Sequence, residues 1–229
     1  QTIWGKEFVH YPNNFIVLPK LFQHAQGAIY IFVTSFFACV AIAIIASIND
    51  EKKIKFGATC RDVFRQYVHI FVAALLSFSV FYLFYRLYGL VVMRAWEIGS
   101  TQGVFFVIKT VVLETAPYVN LLIGVFVTAI FAFVFPLIVI DKKKILAAVG
   151  LNFRRLWGSF WFVFFLVLIP NVFYLPVLLV RNNIASIAQA TVPEARALVL
   201  VLSILVTMFI DAAIYTAITT YYLLKKETL

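Results

Sequence analysis

The chain has 229 residues, 64% of them hydrophobic and only 13% charged, with 19 Lys and Arg against 10 Asp and Glu and a formal net charge of +9. A soluble domain is roughly 45–50% apolar and roughly 25% charged, and one of this size leaves too much surface in water to hide such an excess. A water-soluble enzyme, a disordered chain and a collagen-like chain are excluded; an all-α, polytopic integral membrane helix bundle is expected.

Gln1 is not a translational start, so a segment upstream of it is expected. Residues 1–27 form an arm whose stretch 12–27 reads as an interfacial helix, and residues 28–229 form a single transmembrane domain. A crossing takes about 20 apolar residues. Five stretches qualify: 28–48, 67–85 (closed by Arg86), 118–140, 159–180 and 197–224. Segment 103–113 is apolar but short and interrupted by Lys109, and reads as an interfacial or re-entrant piece. Cys39 and Cys60 stand alone, without a CxxC or Cys/His cluster, and Glu7, His10 and His24 have no metal-ligand spacing. No cofactor or metal is expected.

The connections sort by charge. Loop 49–66 carries Lys52, Lys53, Lys55, Arg61 and Arg65; loop 141–158 carries Lys142, Lys143, Lys144, Arg154 and Arg155; the tail adds Lys225 and Lys226. The opposite side has the smaller set, Lys6, Lys20, Arg94, Lys109, Arg181 and Arg196. Positive charge stays cytoplasmic, so the expectation is an outside N-terminus, a cytoplasmic C-terminus and a plasma (bacterial inner) membrane. The basic loops are topogenic, and nucleic acid is not an expected partner.

A shift of 90 residues lays one basic loop on the other: Glu51-Lys52-Lys53 on Asp141-Lys142-Lys143, Ala58 on Ala148, Arg65 on Arg155, Tyr67 on Trp157. Phe56, Cys60, Val63 and Tyr67 follow helical spacing, as do Leu146, Val149, Phe153 and Leu156. Each loop reads as an amphipathic helix on the cytoplasmic surface that turns into the next span. The unit is span, surface helix, span, used twice in parallel; convergence of two cytoplasmic loops on Lys, Arg and aromatic anchors is the plainer alternative.

The stretch 135–170, with Asp141, Ala147-Ala148, Arg155 and Trp161, resembles the multi-pass membrane domain associated with glycerophosphoryl diester phosphodiesterases and its uncharacterised stand-alone relatives; residues 212–227 resemble the usual ending of that group. Asn152 stands near the customary Ser, and three lysines replace the customary Gly-Pro turn. The resemblance implies six spans, one of them upstream of Gln1, and no catalysis, because the phosphodiester chemistry of the fused members belongs to a separate soluble domain.

Asp211 lies about halfway along the last span, where an unpaired carboxylate costs several kcal/mol. Ser203, Thr207, Asp211, Tyr215 and Thr219 recur every fourth residue and form a slanting polar stripe. The stripe lines a hydrophilic groove in which Asp211 binds a cation, a proton or a headgroup, or else it is ordinary interhelical glue. Pro170-Asn171 falls mid-span, and Asn171 is the preferred partner for Asp211. Arg86, Arg94 and Trp96 read as outer-interface anchors.

These readings point to a non-enzymatic multi-pass protein, a membrane subunit or lipid-handling component whose partners are membrane phospholipids and other membrane subunits. Its headgroup- or partner-binding residues are Lys52, Lys53, Lys55, Arg65, Lys142, Lys143, Lys144, Arg154 and Arg155. The alternatives are a small-solute or ion transporter built on the Asp211 stripe, and the membrane anchor of a phosphodiesterase.

Overall fold

The computed structural model describes residues 25–98, 103–183 and 195–227. The N-terminal arm up to residue 24, with Glu7, His10 and His24, lies outside them. Every element among the described residues is helical: α1 (Ala25–Asn49), α2 (Phe56–Phe64), α3 (Tyr67–Glu97), α4 (Val104–Ile130), α5 (Val134–Val139), α6 (Ile145–Leu156), α7 (Phe160–Val172), α8 (Leu175–Asn182) and α9 (Ala195–Glu227). The protein is an all-α membrane helix bundle. Four helical stretches are long and apolar enough to cross a bilayer: Ala25–Asn49, Tyr67–Glu97, Val104–Val139 and Ala197–Lys226. A fifth crossing follows if α6 and α7, which meet at 98°, count as one bent span.

Three expectations change. Residues 104–113 are not a separate re-entrant piece, because α4 runs unbroken from Val104 through Pro117 to Ile130. Lys109 does not interrupt it: its ammonium reaches the Ile98 carbonyl at 3.0 Å and sits 5.7 Å from the Trp96 ring centre, so the charge leaves the apolar face along its own stem. The stretch 67–85 extends to Glu97, about 46 Å of helix, which outruns an apolar core of about 30 Å. The stretch 159–180 is two short helices, α7 and α8, joined at Phe173 and Tyr174.

Proline explains the break between α4 and α5. Pro136 has no N–H to donate to residue 132, and its ring crowds that carbonyl. The chain therefore leaves α geometry at 131–133 and resumes helix at Val134. Near its start α1 holds a π-helical turn at Tyr30–Thr34, and the Tyr67 hydroxyl from α3 donates to the Phe32 carbonyl inside that turn (3.1 Å).

Helix α1 packs on α3, α5 and α9; α4 packs on α3 and α7; α7 also packs on α9. The core they share includes Ile42, Ile70, Phe133, Leu137, Ile138, Val163, Val167 and Tyr222. Phe32, Leu83, Phe105, Trp161, Phe173 and Phe209 point outward and are more than half exposed. Outward apolar side chains over whole helices are what a lipid-facing surface requires.

Candidate functional site

The two surface helices fall where the 90-residue shift places them. Helix α2 follows α1 after a turn with Glu51 at φ 55°, and α6 follows α5 after a turn with Lys142 at φ 53°. Both turns pass through a left-handed residue that is not glycine. Contacts unite the two units at one end of the bundle. With its amide oriented by the hydrogen-bond network, Gln66 donates to the Ile138 carbonyl and accepts from Lys142 Nζ at 2.8 Å.

Each surface helix turns one face inward and another outward. Val63 on α2, and Ala148, Asn152 and Leu156 on α6, are buried. Phe56 and Phe64 are exposed on α2, as are Leu146 and Phe153 on α6 and Trp157, 91% exposed, just past its end. Around these apolar side chains stand Lys52, Lys53, Lys55, Arg61, Arg65, Lys142, Lys143, Lys144 and Arg154, all exposed.

Arg155 departs from the predicted basic belt. It turns inward, donating through Nη1 to the Tyr222 hydroxyl (2.6 Å), with its guanidinium carbon 5.2 Å from the ring centre. Tyr222 in turn donates to Asp141 Oδ2 (2.6 Å), and Lys226 donates to Asp141 Oδ1 (2.7 Å). Lys225 donates to the Arg155 carbonyl (2.7 Å) and to Ser159 Oγ (2.9 Å). The Asp141 side chain is only 11% exposed. Burial acts to raise its carboxyl, but the bonds from Lys226 and Tyr222 and the charges of Lys226 and Arg155 outweigh it, holding the carboxyl below its ordinary value. This network ties the end of α9 to the start and end of α6.

Asn152, fully buried, closes the break between α4 and α5. The chain's departure from α geometry sends the Val134 N–H to the Phe131 carbonyl, and Asn152 serves both groups beside it. Its Oδ1 accepts from the Phe133 N–H (3.0 Å), and its Nδ2 donates to the Ile130 carbonyl (2.7 Å). Phe133 then packs against the rings of Tyr221 and Tyr222, at 6.0 and 5.7 Å between centres. One amide thus fixes the surface helix to the broken span beneath it.

The mid-membrane centre differs from the expected one. Asn171 donates to the Val167 carbonyl of its own helix (2.9 Å), and no hydrogen bond joins it to Asp211 among the described residues. Asp211 and Tyr215 lie on α9, which packs on α1, the helix that carries Tyr30. Tyr30 lies 3.4 Å from Ser77 on α3. The stripe hydroxyls bond within α9: Ser203 to Val199, Thr207 to Ser203 and Thr219 to Tyr215, each through the carbonyl four residues earlier. Ser203 and Thr219 are buried. These hydroxyls donate to their own helix rather than to a neighbouring one.

Fold and site together define an integral membrane helix bundle with a basic, aromatic-studded end. No protein-family profile, no curated protein and no solved structure matches the chain.

Proposed function

We propose that the chain is a non-enzymatic multi-pass membrane protein, a membrane subunit or lipid-handling component whose basic end holds anionic headgroups. The observation that carries this reading is the pairing, on both α2 and α6, of exposed cations with exposed apolar anchors. Near an anionic leaflet each such cation contributes about 1 kcal/mol. The basic end is then cytoplasmic, in a plasma or bacterial inner membrane, by the positive-inside rule. The resemblance to the phosphodiesterase-associated membrane domain agrees with this role, and the anchor reading adds a catalytic domain elsewhere on a longer chain.

The test is the lipid retained after purification in mild detergent. Reversing Lys53, Lys55, Lys143 and Lys144 to Glu should remove anionic phospholipid while leaving the helical content unchanged. Anionic lipid retained at the unmodified level would reject the reading. The transporter reading draws on one observation, that α9, which carries Asp211, packs on α1, which carries Tyr30. Substrate-dependent flux in proteoliposomes that is lost in Asp211→Asn would favour it.

A further inference from the structure

The end of α1, helix α2 and the end of α5 with the residues after it line an open pocket of ≈ 230 Å³ at the basic end. Its polar lining is Ser47, Asp50, Lys52, Thr59, Asp62 and Lys142, above an apolar floor that includes Ala46 and Val139. The charged side chains that line it are two carboxylates and two ammonium groups, and both carboxylates already meet a cation, Asp50 with Lys52 at 2.6 Å and Asp62 with Arg65 at 3.8 Å. An anion would satisfy the lysines and face two carboxylates; a simple cation would do the reverse. A ligand that carries both charges satisfies both pairs.

The second unit shows which cation such a place accepts. At the end of α5, Asp141 takes a primary ammonium, Lys226 Nζ at 2.7 Å, from the chain's own last helix. Asp50 holds the corresponding place at the end of α1, one residue before the exact 90-residue match, and it faces the cavity. Its carboxyl is held below the ordinary value by the hydrogen bond and charge of Lys52, so it is ionised at neutral pH. The Ser47 and Thr59 hydroxyls already donate to the Ala43 and Lys55 carbonyls, which leaves their oxygens as acceptors. A primary ammonium has N–H donors for these acceptors, and a quaternary one has none.

We propose that this cavity binds the headgroup of an aminophospholipid of the phosphatidylethanolamine type, with its ammonium on Asp50 and Asp62 and its phosphate on Lys52 and Lys142. Lys52, 2.6 Å from Asp50, uses its remaining donors for the phosphate. The apolar floor adjoins the span ends, where the acyl chains leave for the bilayer. The inference rests on the lipid-handling reading and names a second lipid class for it.

The experiment titrates the full chain in mild detergent with phosphatidylethanolamine, phosphatidylcholine and phosphatidylglycerol of equal acyl length, and counts bound lipid by native mass spectrometry. The unmodified chain should prefer ethanolamine over choline lipid by about tenfold, the scale of a lost charged hydrogen bond. The double variant Asp50→Asn, Asp62→Asn and the cavity-filling Ala46→Phe should each bring that ratio near one while leaving glycerol-lipid binding intact. Equal binding of ethanolamine and choline lipids by the unmodified chain, or a preference that survives Ala46→Phe, overturns the proposal. Displacement of the lipid by an equal concentration of soluble O-phosphoethanolamine overturns its assignment to a lipid. Glycerol-lipid binding indifferent to reversal of Lys53, Lys55, Lys143 and Lys144 rejects the basic-belt reading while the cavity ratio stands on its own.

Discussion

Replacing Asn152 with Leu removes one side chain of similar volume and leaves two backbone groups without partners, the Phe133 N–H and the Ile130 carbonyl. Asn152 and Phe133 are both 0% exposed, so water does not replace the lost bonds. The buried Phe133 N–H costs about 1–3 kcal/mol as an orphan, and the Ile130 carbonyl, on a half-buried residue, adds less. The unfolding free energy should therefore fall by at least about 1 kcal/mol. The assay is reversible unfolding by SDS in mixed micelles, followed by circular dichroism. Asn152→Asp should fall between the two, because it keeps the acceptor for Phe133 and sets a second oxygen against the Ile130 carbonyl. A Leu variant within about 0.5 kcal/mol of the unmodified protein would refute the reasoning, since that is the range of ordinary surface substitutions.

Other outcomes follow from the same geometry. Asp141→Asn weakens the contacts to Lys226 and Tyr222 and should destabilise the protein by about 2 kcal/mol at neutral pH in the same unfolding assay. Because the folded state lowers this carboxyl, its contribution is present above the ordinary carboxylate value of about 3.9 and is lost as pH falls through the folded value. The unmodified chain should therefore lose more stability than the Asn variant on acidification below that range, and parallel pH profiles would contradict this. Tyr222→Phe breaks the link from Arg155 through the hydroxyl to Asp141 and should cost about 1–2 kcal/mol, read in the same titration. A Cβ on Gly27 would lie 2.7 Å from the tip of the Phe78 ring, so Gly27→Val should push that ring aside, loosen the packing of α1 on α3 and lower the midpoint of SDS unfolding.

Local pattern carried much of the fold. The run 28–48 lies inside α1 (Ala25–Asn49), and the helical spacing of Phe56, Cys60 and Val63, and of Leu146, Val149 and Phe153, marks α2 and α6. Those signals are contained within each segment. Lys109 misled because a long side chain lets a helix pass an apparent charge barrier, which composition does not reveal. The site was less legible. Asp141 meets residues 81 and 85 positions away, and Asn152 meets carbonyl and amide groups 22 and 19 positions back. No local periodicity encodes such pairings. Asn152 stood out only as a departure from a resembling pattern; a polar residue on the buried face of an amphipathic helix, beside a proline-broken span, was the available signal. Asn171 seemed suited to Asp211 by depth alone, but its amide nitrogen donates within its own helix.

Trp157, 91% exposed at the end of α6, reports on the lipids beside the basic end. A variant that keeps Trp157 as its sole tryptophan, reconstituted with brominated lipids, measures local composition by fluorescence quenching. Brominated phosphatidylglycerol should quench more strongly than brominated phosphatidylcholine at low salt, and the difference should shrink in high salt and vanish when Lys53, Lys55, Lys143 and Lys144 are reversed to Glu. Equal quenching by the two lipids, or a preference that outlasts the charge reversal, would contradict a basic end that holds anionic headgroups.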